Sequence, residues 1–404
     1  MNLELTTEDV AFRKEVQAFL TSALTPHMRR AGLRTTSIFS EFEASMSFQR
    51  ALHDRGWAAP EWPLEYGGTD WSQMQKAIFQ EECQRANSPA TSSIGIQMLG
   101  PMIIRYGTTE QKRVLLPRIL STADVWCQGY SEPEAGSDLA SLQMKAEKVG
   151  DDYVLNGSKI WTSLAHHANK MFCLVRTRKS EKPQAGISFL LVDLDLPGIT
   201  VSPIVSLDGE VEQCQVFFED VRVASSQRLG EENQGWEIAK YLLEYERGGY
   251  SYYVALDKQL NQIKTMASSA CSEGDVPFIE DPVFTAELAE LEIDKLALEY
   301  TEYRLKTRLK EQGKPGALSS MIKVTGTELG QALDEMAVRL RGQYLAPLQN
   351  HCLDPDFTGP CVGPVCGINV MNRYLNNRAS TIYGGTAQIQ RNIIARMVLA
   401  REGV

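Results

Sequence analysis

The sequence predicts an α+β protein of three domains: a helical amino-terminal domain (1–123), a middle β-barrel or sandwich domain (124–230) and a carboxy-terminal helix bundle (231–404). Three observations support this. Apolar residues recur at helical spacing over the first ~120 residues, short alternating apolar runs fill the middle, and helical spacing returns over the last ~170. At 404 residues the chain is long enough to bury the cores that such domains need.

The first helix is predicted from a capping signal. Thr6 or Thr7 precedes two acidic residues, and apolar residues then follow at helical spacing (TTEDVAFRKEVQAFLTSAL). A loop with proline and two glycines, at residues 62–72, interrupts the helical pattern. Two more helical segments follow it and complete the amino-terminal domain (QMQKAIFQEECQRANS and TEQKRVLLPRILS).

The middle domain shows the pattern of successive strands. Its segments alternate apolar and polar residues or form short apolar runs (QMKAEKVGDDYVLNGSKIWTS, KMFCLVRT, ISFLLVDL and CQVFFEDVRV). Turns are predicted at Gly150-Asp151-Asp152 and at Asn156-Gly157. Because no helix separates these strands, a small barrel or sandwich is expected.

Composition and charge exclude several classes of partner. The chain has 43% hydrophobic and 23% charged residues and a formal net charge of −10. A net acidic protein is a poor ligand for nucleic acid or anionic membranes. No apolar run reaches the length of a membrane span, and the first twenty residues lack the apolar centre of a signal peptide. We therefore expect a cytoplasmic protein without nucleic-acid binding or membrane insertion.

The eight cysteines are scattered, with no Cys-x-x-Cys pair. We expect them to be reduced thiols that pack as small apolar side chains. His351, Cys352, Cys361 and Cys366 lie close in sequence, but their spacing matches no common zinc motif, so no metal site is predicted.

Four separated motifs contain residues that could bind a ligand or take part in catalysis. A Gly-Gly turn at 384–385 lets backbone N–H groups approach a ligand, and Glu246 lies beside Arg247 at the edge of an apolar helical stripe. In this order the motifs resemble the acyl-CoA dehydrogenase family over nearly the whole chain: GYSEPEAGSDLAS (129–141), LNGSKIWTS (155–163), EYERGGY (244–250) and STIYGGTAQIQRN (380–392).

The resemblance implies FAD as cofactor. It places Tyr130 and Ser131 along the pyrimidine side of the flavin ring, Ser137 near a phosphate, Trp161 on the ring and Ser163 near N5. Taken alone, Trp161 is better predicted as a core aromatic and Ser131 as a cap; the two motifs together favour the flavin contacts. The full set of implied cofactor-binding residues is Tyr130, Ser131, Gly136, Ser137, Trp161, Ser163, Thr386 and Gln388.

The reaction implied is α,β-dehydrogenation of an acyl-CoA thioester, with a backbone N–H of the 384–385 turn polarising the carbonyl. Many family members carry their catalytic Glu where this chain has Gly384. A minority carry it on the neighbouring helix just before an Arg, which matches Glu246 and Arg247. Glu246 is therefore the predicted base, and its alternative is a solvated helix carboxylate. Arg247 positions Glu246, contacts CoA, or forms a surface ion pair with Glu244 or Glu246.

Two family stretches that complete a neighbour's FAD site, Arg-x-x-Phe and Gln-x-x-Gly-Gly, are not found in this sequence. The resemblance therefore implies a homologous second subunit in a heterotetramer, as in the steroid-type branch of the family. It also implies a bulky or steroid side-chain acyl-CoA as substrate and an electron-transfer flavoprotein as electron acceptor. The alternatives are a non-catalytic scaffold subunit and a flavin acyl-CoA oxidase.

Overall fold

The computed structural model describes the main chain of residues 5–249, 251–270, 276–312 and 317–402, and the side chains in these ranges except at 243–249, 306, 309–312 and 400–402. None of the helices in these ranges is both long and apolar enough to cross a membrane. Twelve α-helices occur in the described residues: α1 Thr7–Ala23, α2 Pro26–Arg34, α3 Phe42–Arg55, α4 Gln73–Arg85, α5 Gly100–Tyr106, α6 Thr109–Leu120, α7 Gly235–Gly249, α8 Tyr252–Ser269, α9 Pro282–Gln312, α10 Ala317–Arg341, α11 Val370–Asn376 and α12 Ala387–Glu402.

The strands of the described chain join into one mixed sheet. Its order is β6-β7-β3-β2-β4-β5-β8, and β1 pairs in parallel with β4. Along the sequence, the described strands follow the amino-terminal helices and precede the carboxy-terminal ones, which confirms the predicted fold class. They are β1 Trp126–Gly129, β2 Lys145–Val149, β3 Asp152–Ser163, β4 Lys170–Arg176, β5 Ile187–Asp193, β6 Ile199–Val205, β7 Val211–Ala224 and β8 Arg228–Leu229.

Packing divides the chain into two compact units. The first contains Gln49–Asp70 and Thr91–Glu246, and therefore the whole sheet. The second contains Met1–Phe48, Trp71–Ala90 and Arg247–Val404, a set of packed helices. Each unit has its own apolar core: strand residues such as Tyr153 form the first, and helix residues such as Leu333 form the second.

The start of α1 confirms the predicted capping signal. The Thr6 hydroxyl accepts a hydrogen bond from the Asp9 N–H at 3.1 Å, and the Asp9 carboxylate accepts one from the Thr6 N–H at 3.0 Å. This reciprocal capping box satisfies two backbone donors that a helix start otherwise leaves unpaired. Local sequence alone therefore fixes where this helix begins.

One predicted turn is wrong. Gly150 forms a turn with φ of 64°, as expected, but Asn156 and Gly157 lie inside the continuous strand β3. The register with β7 shifts at this point, and a Cβ on Gly157 would lie 3.0 Å from the Cα of Met144. Gly157 is therefore needed for close packing against Met144, opposite a bulge in β7, and not for a hairpin turn.

The prediction that all eight cysteines are reduced thiols is wrong for two of them. Cys352 and Cys361 form a disulfide, with their Cα atoms 6.4 Å apart. The side chain of Gln349 brings the two segments together, because its amide donates to the Val362 carbonyl at 3.2 Å and accepts from the Val362 N–H at 2.6 Å. His351 packs edge-on against the Phe357 ring, at 4.9 Å between centroids.

Candidate active site

A bulge in β3 turns Trp161 outward. The register between β3 and β7 shifts between Lys159 and Thr162, so two residues of β3 oppose one of β7. Trp161 lies in this bulge with φ of 59°, and its side chain is 61% exposed. Bulges re-aim side chains, and a bulky residue with positive φ marks a strained position of the kind found at functional sites. The bulge thus holds a large aromatic surface outward, two residues from Ser163.

Tyr130 contributes its ring to the core of the sheet. The ring is edge-on to Phe172, at 5.9 Å between centroids, and to Phe189, at 6.3 Å. The following carbonyl, that of Ser131, accepts from the Ile160 N–H at 3.0 Å, which ties this segment to β3. The Ser131 N–H has no acceptor among the described residues. The main chain, and not the tyrosine ring, is therefore what this segment offers to a ligand.

A buried ion pair lies behind this segment. The Lys159 ammonium, fully buried, donates to the Glu132 carboxylate at 2.7 Å and to the Tyr130 carbonyl at 3.2 Å. Glu132 also accepts from the N–H groups of Gln143, at 2.6 Å, and Met144, at 3.0 Å. Burial lowers the pKa of Lys159, and the Glu132 charge opposes that shift. The pair therefore joins β3 to both ends of the segment 130–144: to Tyr130 and Glu132 at its start, and to Gln143 and Met144 at its end.

Gly136 and Ser137 lie on an exposed turn of the same segment. A Cβ placed on Gly136 would meet no atom within 4 Å, so the space above this residue is open. The segment is anchored beyond the turn by Arg176, whose Nη2 donates to the carbonyls of Ala140 at 2.7 Å and Leu142 at 3.0 Å. The turn is therefore accessible at its tip and fixed at its base.

The predicted Gly-Gly turn lies just before α12. Gly384 and Gly385 have φ of 63° and 84°, conformations that favour glycine. The fully buried Gln390 donates through Nε2 to both of their carbonyls, each at 3.4 Å. Because N–H and C=O point in opposite directions in a trans peptide, the N–H groups of Gly385 and Thr386 face away from Gln390. The N–H groups of residues 384–386 find no acceptor among the described residues.

Side chains on either side of the turn fix its ends. The Thr386 hydroxyl accepts from the Ile389 N–H at 3.2 Å and so caps α12, while Gln388 is exposed. Lys323 donates to the Ser380 carbonyl at 3.0 Å, and burial lowers the pKa of this lysine to about 8. The turn is thus held at its flanks, and its own N–H groups point outward.

The predicted base lies on α7. The helix passes through Glu246 and Arg247, but their side chains lie outside the described residues. One turn earlier, Leu242 is fully buried and Tyr241 is half-buried, as the apolar stripe predicted. The Arg105 guanidinium lies 5.1 Å from the centre of the Tyr241 ring, and burial raises the pKa of that tyrosine.

These features fit a flavin. An isoalloxazine ring needs an aromatic or apolar cover for one face and donors along its polar edge. The exposed ring of Trp161 can supply the cover, and the Ser131 N–H can supply a donor. The open turn at Gly136 and Ser137 leaves space for a phosphate.

Most of the chain matches three known sequence domains, which follow one another along its length. Residues 6–123, 127–221 and 233–399 match the N-terminal, middle and C-terminal domains of acyl-CoA dehydrogenase, respectively. The chain belongs to the acyl-CoA dehydrogenase family. It is similar to acyl-CoA dehydrogenase IpdE1 of Mycolicibacterium smegmatis, with 36% identity over 369 residues, which covers 89% of this chain and 88% of that protein.

Two solved structures extend the similarity. A chain of the ChsE4-ChsE5 complex from Mycobacterium tuberculosis has a TM-score of 0.83 and 30% identity, with 99% of both chains covered. A chain of the Tcur3481-Tcur3483 steroid acyl-CoA dehydrogenase has a TM-score of 0.82 and 27% identity, also with 99% of both chains covered. These similarities confirm the predicted resemblance to the heteromeric, steroid-type branch.

This acyl-CoA dehydrogenase is therefore an FAD-dependent oxidoreductase, as the sequence motifs indicated. The roles of the individual site residues remain predictions. Sequence patterns did not single out Lys159 or Glu132, although each lies inside a quoted motif. A signal was present at Lys159, where a charged residue takes an inward position of a strand.

Proposed function

We propose that this chain is the catalytic subunit of an acyl-CoA dehydrogenase that acts on a bulky, steroid-type acyl-CoA thioester, with Glu246 as the base. The observation that carries the proposal is the Gly384-Gly385 turn. It has no carboxylate, its N–H groups point outward, and a Cβ on Gly384 would meet no atom within 4 Å. The turn therefore suits binding of a carbonyl oxygen, while the base comes from α7.

Each residue has a separate task in this proposal. Glu246 removes the α-proton of the thioester as a carboxylate. Backbone N–H groups of the turn donate to the thioester oxygen and stabilise the negative charge that develops there. Arg247 positions Glu246 or contacts the CoA portion. Bound FAD supplies the acceptor for the β-hydride.

The flavin side of the site is proposed for the sheet unit. The Ser131 main chain would donate to the pyrimidine edge, Trp161 would cover the ring, and Ser163 would approach N5. Ser137, with Gly136, would hold a phosphate. Thr386 and Gln388 would add contacts from the start of α12, and Tyr130 would act through its main chain because its ring is in the core.

A homologous second subunit completes the proposed enzyme, in a heterotetramer of two copies of each chain. Support comes from the two family stretches that this sequence lacks and from the ChsE4-ChsE5 complex among the similar structures. The steroid-type substrate is supported by the steroid acyl-CoA dehydrogenase among those structures and by the open space at Gly384. We propose that the electrons leave to an electron-transfer flavoprotein.

The decisive experiment replaces Glu246 by Gln in the complex with the partner subunit. Loss of a general base predicts a 10²–10⁴-fold fall in kcat, with FAD still bound. The assay follows dye-coupled turnover of steroid side-chain and straight-chain acyl-CoA thioesters, and exchange of the α-proton in D2O. Glu244→Gln, two residues away on the same helix, is the matched control and should keep full activity.

The same experiment tests the scaffold alternative, which the absence of a carboxylate at Gly384 favours. If this chain is a scaffold, Glu246→Gln keeps normal turnover and α-proton exchange, because the partner subunit supplies the base. Turnover in air without an electron carrier would instead identify an oxidase.

A further inference from the structure

The buried ammonium of Lys159 contacts main chain as well as its counter-ion. Lys159 is on β3, two residues before Trp161, and its two acceptors are the Glu132 carboxylate and the Tyr130 carbonyl. Both acceptors belong to the segment that follows β1. A single side chain therefore links the bulge that exposes Trp161 to the main chain that leads into Ser131.

The contact with the Tyr130 carbonyl sets the direction of the next N–H. No cis peptide bond occurs in the described chain, so the Tyr130–Ser131 peptide has its C=O and N–H on opposite sides. Because the carbonyl points at Lys159, the Ser131 N–H points away from it. The Ser131 carbonyl is fixed as well, by the Ile160 N–H at 3.0 Å. The donor at Ser131 is thus oriented by two bonds to consecutive residues of β3.

The desolvation free energy of the buried Lys159–Glu132 ion pair indicates a role beyond packing. Taking an ammonium and a carboxylate out of water is unfavourable, and neutral side chains of similar size usually support a fold equally well. Lys159 nevertheless has no exposed surface, and Glu132 has 7% of its surface exposed. The carboxylate also accepts two N–H groups from residues 143 and 144, so every oxygen of the pair is used.

We propose that Lys159 is a positioning residue for the flavin: with Glu132 as counter-ion, it holds the Tyr130–Ser131 peptide so that the Ser131 N–H meets the cofactor. The inference rests on the proposed flavin contacts of this segment. It predicts that loss of the ammonium weakens FAD binding and changes the flavin spectrum, two effects that a purely destabilising substitution does not produce.

The test is titration of the apoprotein, in complex with its partner subunit, with free FAD. Lys159→Met keeps the length of the side chain and removes the donor. A lost hydrogen bond of this kind predicts about tenfold weaker FAD binding, a changed visible absorption spectrum of the bound flavin and a shifted reduction potential. Val216→Ala is the matched control. Val216 is fully buried and pairs with Lys159 across the sheet, and it has no part in the proposed flavin contacts, so its truncation should affect stability alone. It should lower Tm and leave spectrum, potential and affinity unchanged.

A second variant separates orientation from stability. Lys159→Met combined with Glu132→Gln removes both buried charges, so Tm should recover relative to Lys159→Met alone. FAD affinity and spectrum should not recover, because the Tyr130 carbonyl still lacks its donor. Wild-type affinity and spectrum in the double variant would overturn the inference. Failure of the wild-type complex to bind FAD would instead contradict the proposed flavin site itself.

Discussion

The two segments that offer free N–H groups are supported very differently. Behind Ser131, a paired ammonium and carboxylate make four hydrogen bonds of 2.6–3.2 Å. Behind the turn at 384–385, one neutral amide, that of Gln390, makes two bonds of 3.4 Å. Its Oε1 is buried and has no donor among the described residues. The turn also depends on Lys323, which donates to a carbonyl and has no bonded carboxylate within the described part of the chain.

This difference shows which segment is formed before a ligand binds. Short bonds to charged groups are roughly twice as strong as neutral ones, so the Ser131 segment is held in one geometry. Bonds of 3.4 Å hold a turn weakly. We therefore expect the Ser131 segment to bind a cofactor without rearrangement, and the 384–385 turn to tighten when a carbonyl oxygen occupies its N–H groups.

The largest expected difference concerns the two buried lysines. Lys159→Met leaves the Glu132 charge unpaired inside the sheet and should lower the free energy of unfolding by about 3–5 kcal/mol. Lys323→Met removes an ammonium that has no bonded carboxylate among the described residues and leaves only the Ser380 carbonyl unpaired; because burial disfavours that ammonium, the loss should be at most about 1 kcal/mol. Urea denaturation of both variants measures the difference. Equal losses would contradict the contrast between the two segments.

A smaller effect is expected at one glycine of each segment. Gly384→Ala should lower the free energy of unfolding by about 1–2 kcal/mol, because an L-residue is strained at φ of 63°. Gly136→Ala should be neutral or stabilising by about 0.5 kcal/mol, because its φ is not left-handed. Neither new Cβ would meet an atom within 4 Å, so packing cannot account for a difference. Urea denaturation of both variants measures the two free energies of unfolding. A clear loss of stability in Gly136→Ala would contradict the open space and the ordinary φ described for that residue.

The most gradual effect, because it is spread between about pH 8 and 10.5, is a pH dependence from Lys323. Burial lowers its pKa from 10.5 to about 8, and Glu328 acts in the opposite direction. Between about pH 8 and 10.5 the unfolded chain holds a proton that the folded chain has lost, so stability should rise with pH, by at most about 1.4 kcal/mol per pH unit. Below pH 8 the contribution is flat. The wild type should show this slope and Lys323→Met should lack it; identical slopes would show that Lys323 is not the group responsible.

Much of the fold could be predicted because its signals are local. The capping residues of α1 and the turn at Gly150 depend on neighbours within a few positions, and both appear where the sequence indicated. The prediction of a turn at Asn156-Gly157 was wrong because the requirement for glycine there comes from Met144, in another part of the chain. The disulfide between Cys352 and Cys361 was missed for a similar reason, since a side chain of the preceding turn brings them together.

By itself, the sequence determined the order of helical and β domains, the acyl-CoA dehydrogenase motifs, FAD as cofactor and the glycine turn before α12. The order of the domains follows from periodicity and the glycine turn from two consecutive residues, whereas FAD follows from the resemblance of four short motifs to a known family. The tertiary structure alone decided that Trp161 is exposed on a bulge, that the Tyr130 ring is in the core, and that Lys159 meets Glu132. The physical reason is that strand pairing sets which side chains share an interior. Residues 27 positions apart can then satisfy each other's charge, and no local pattern encodes that contact.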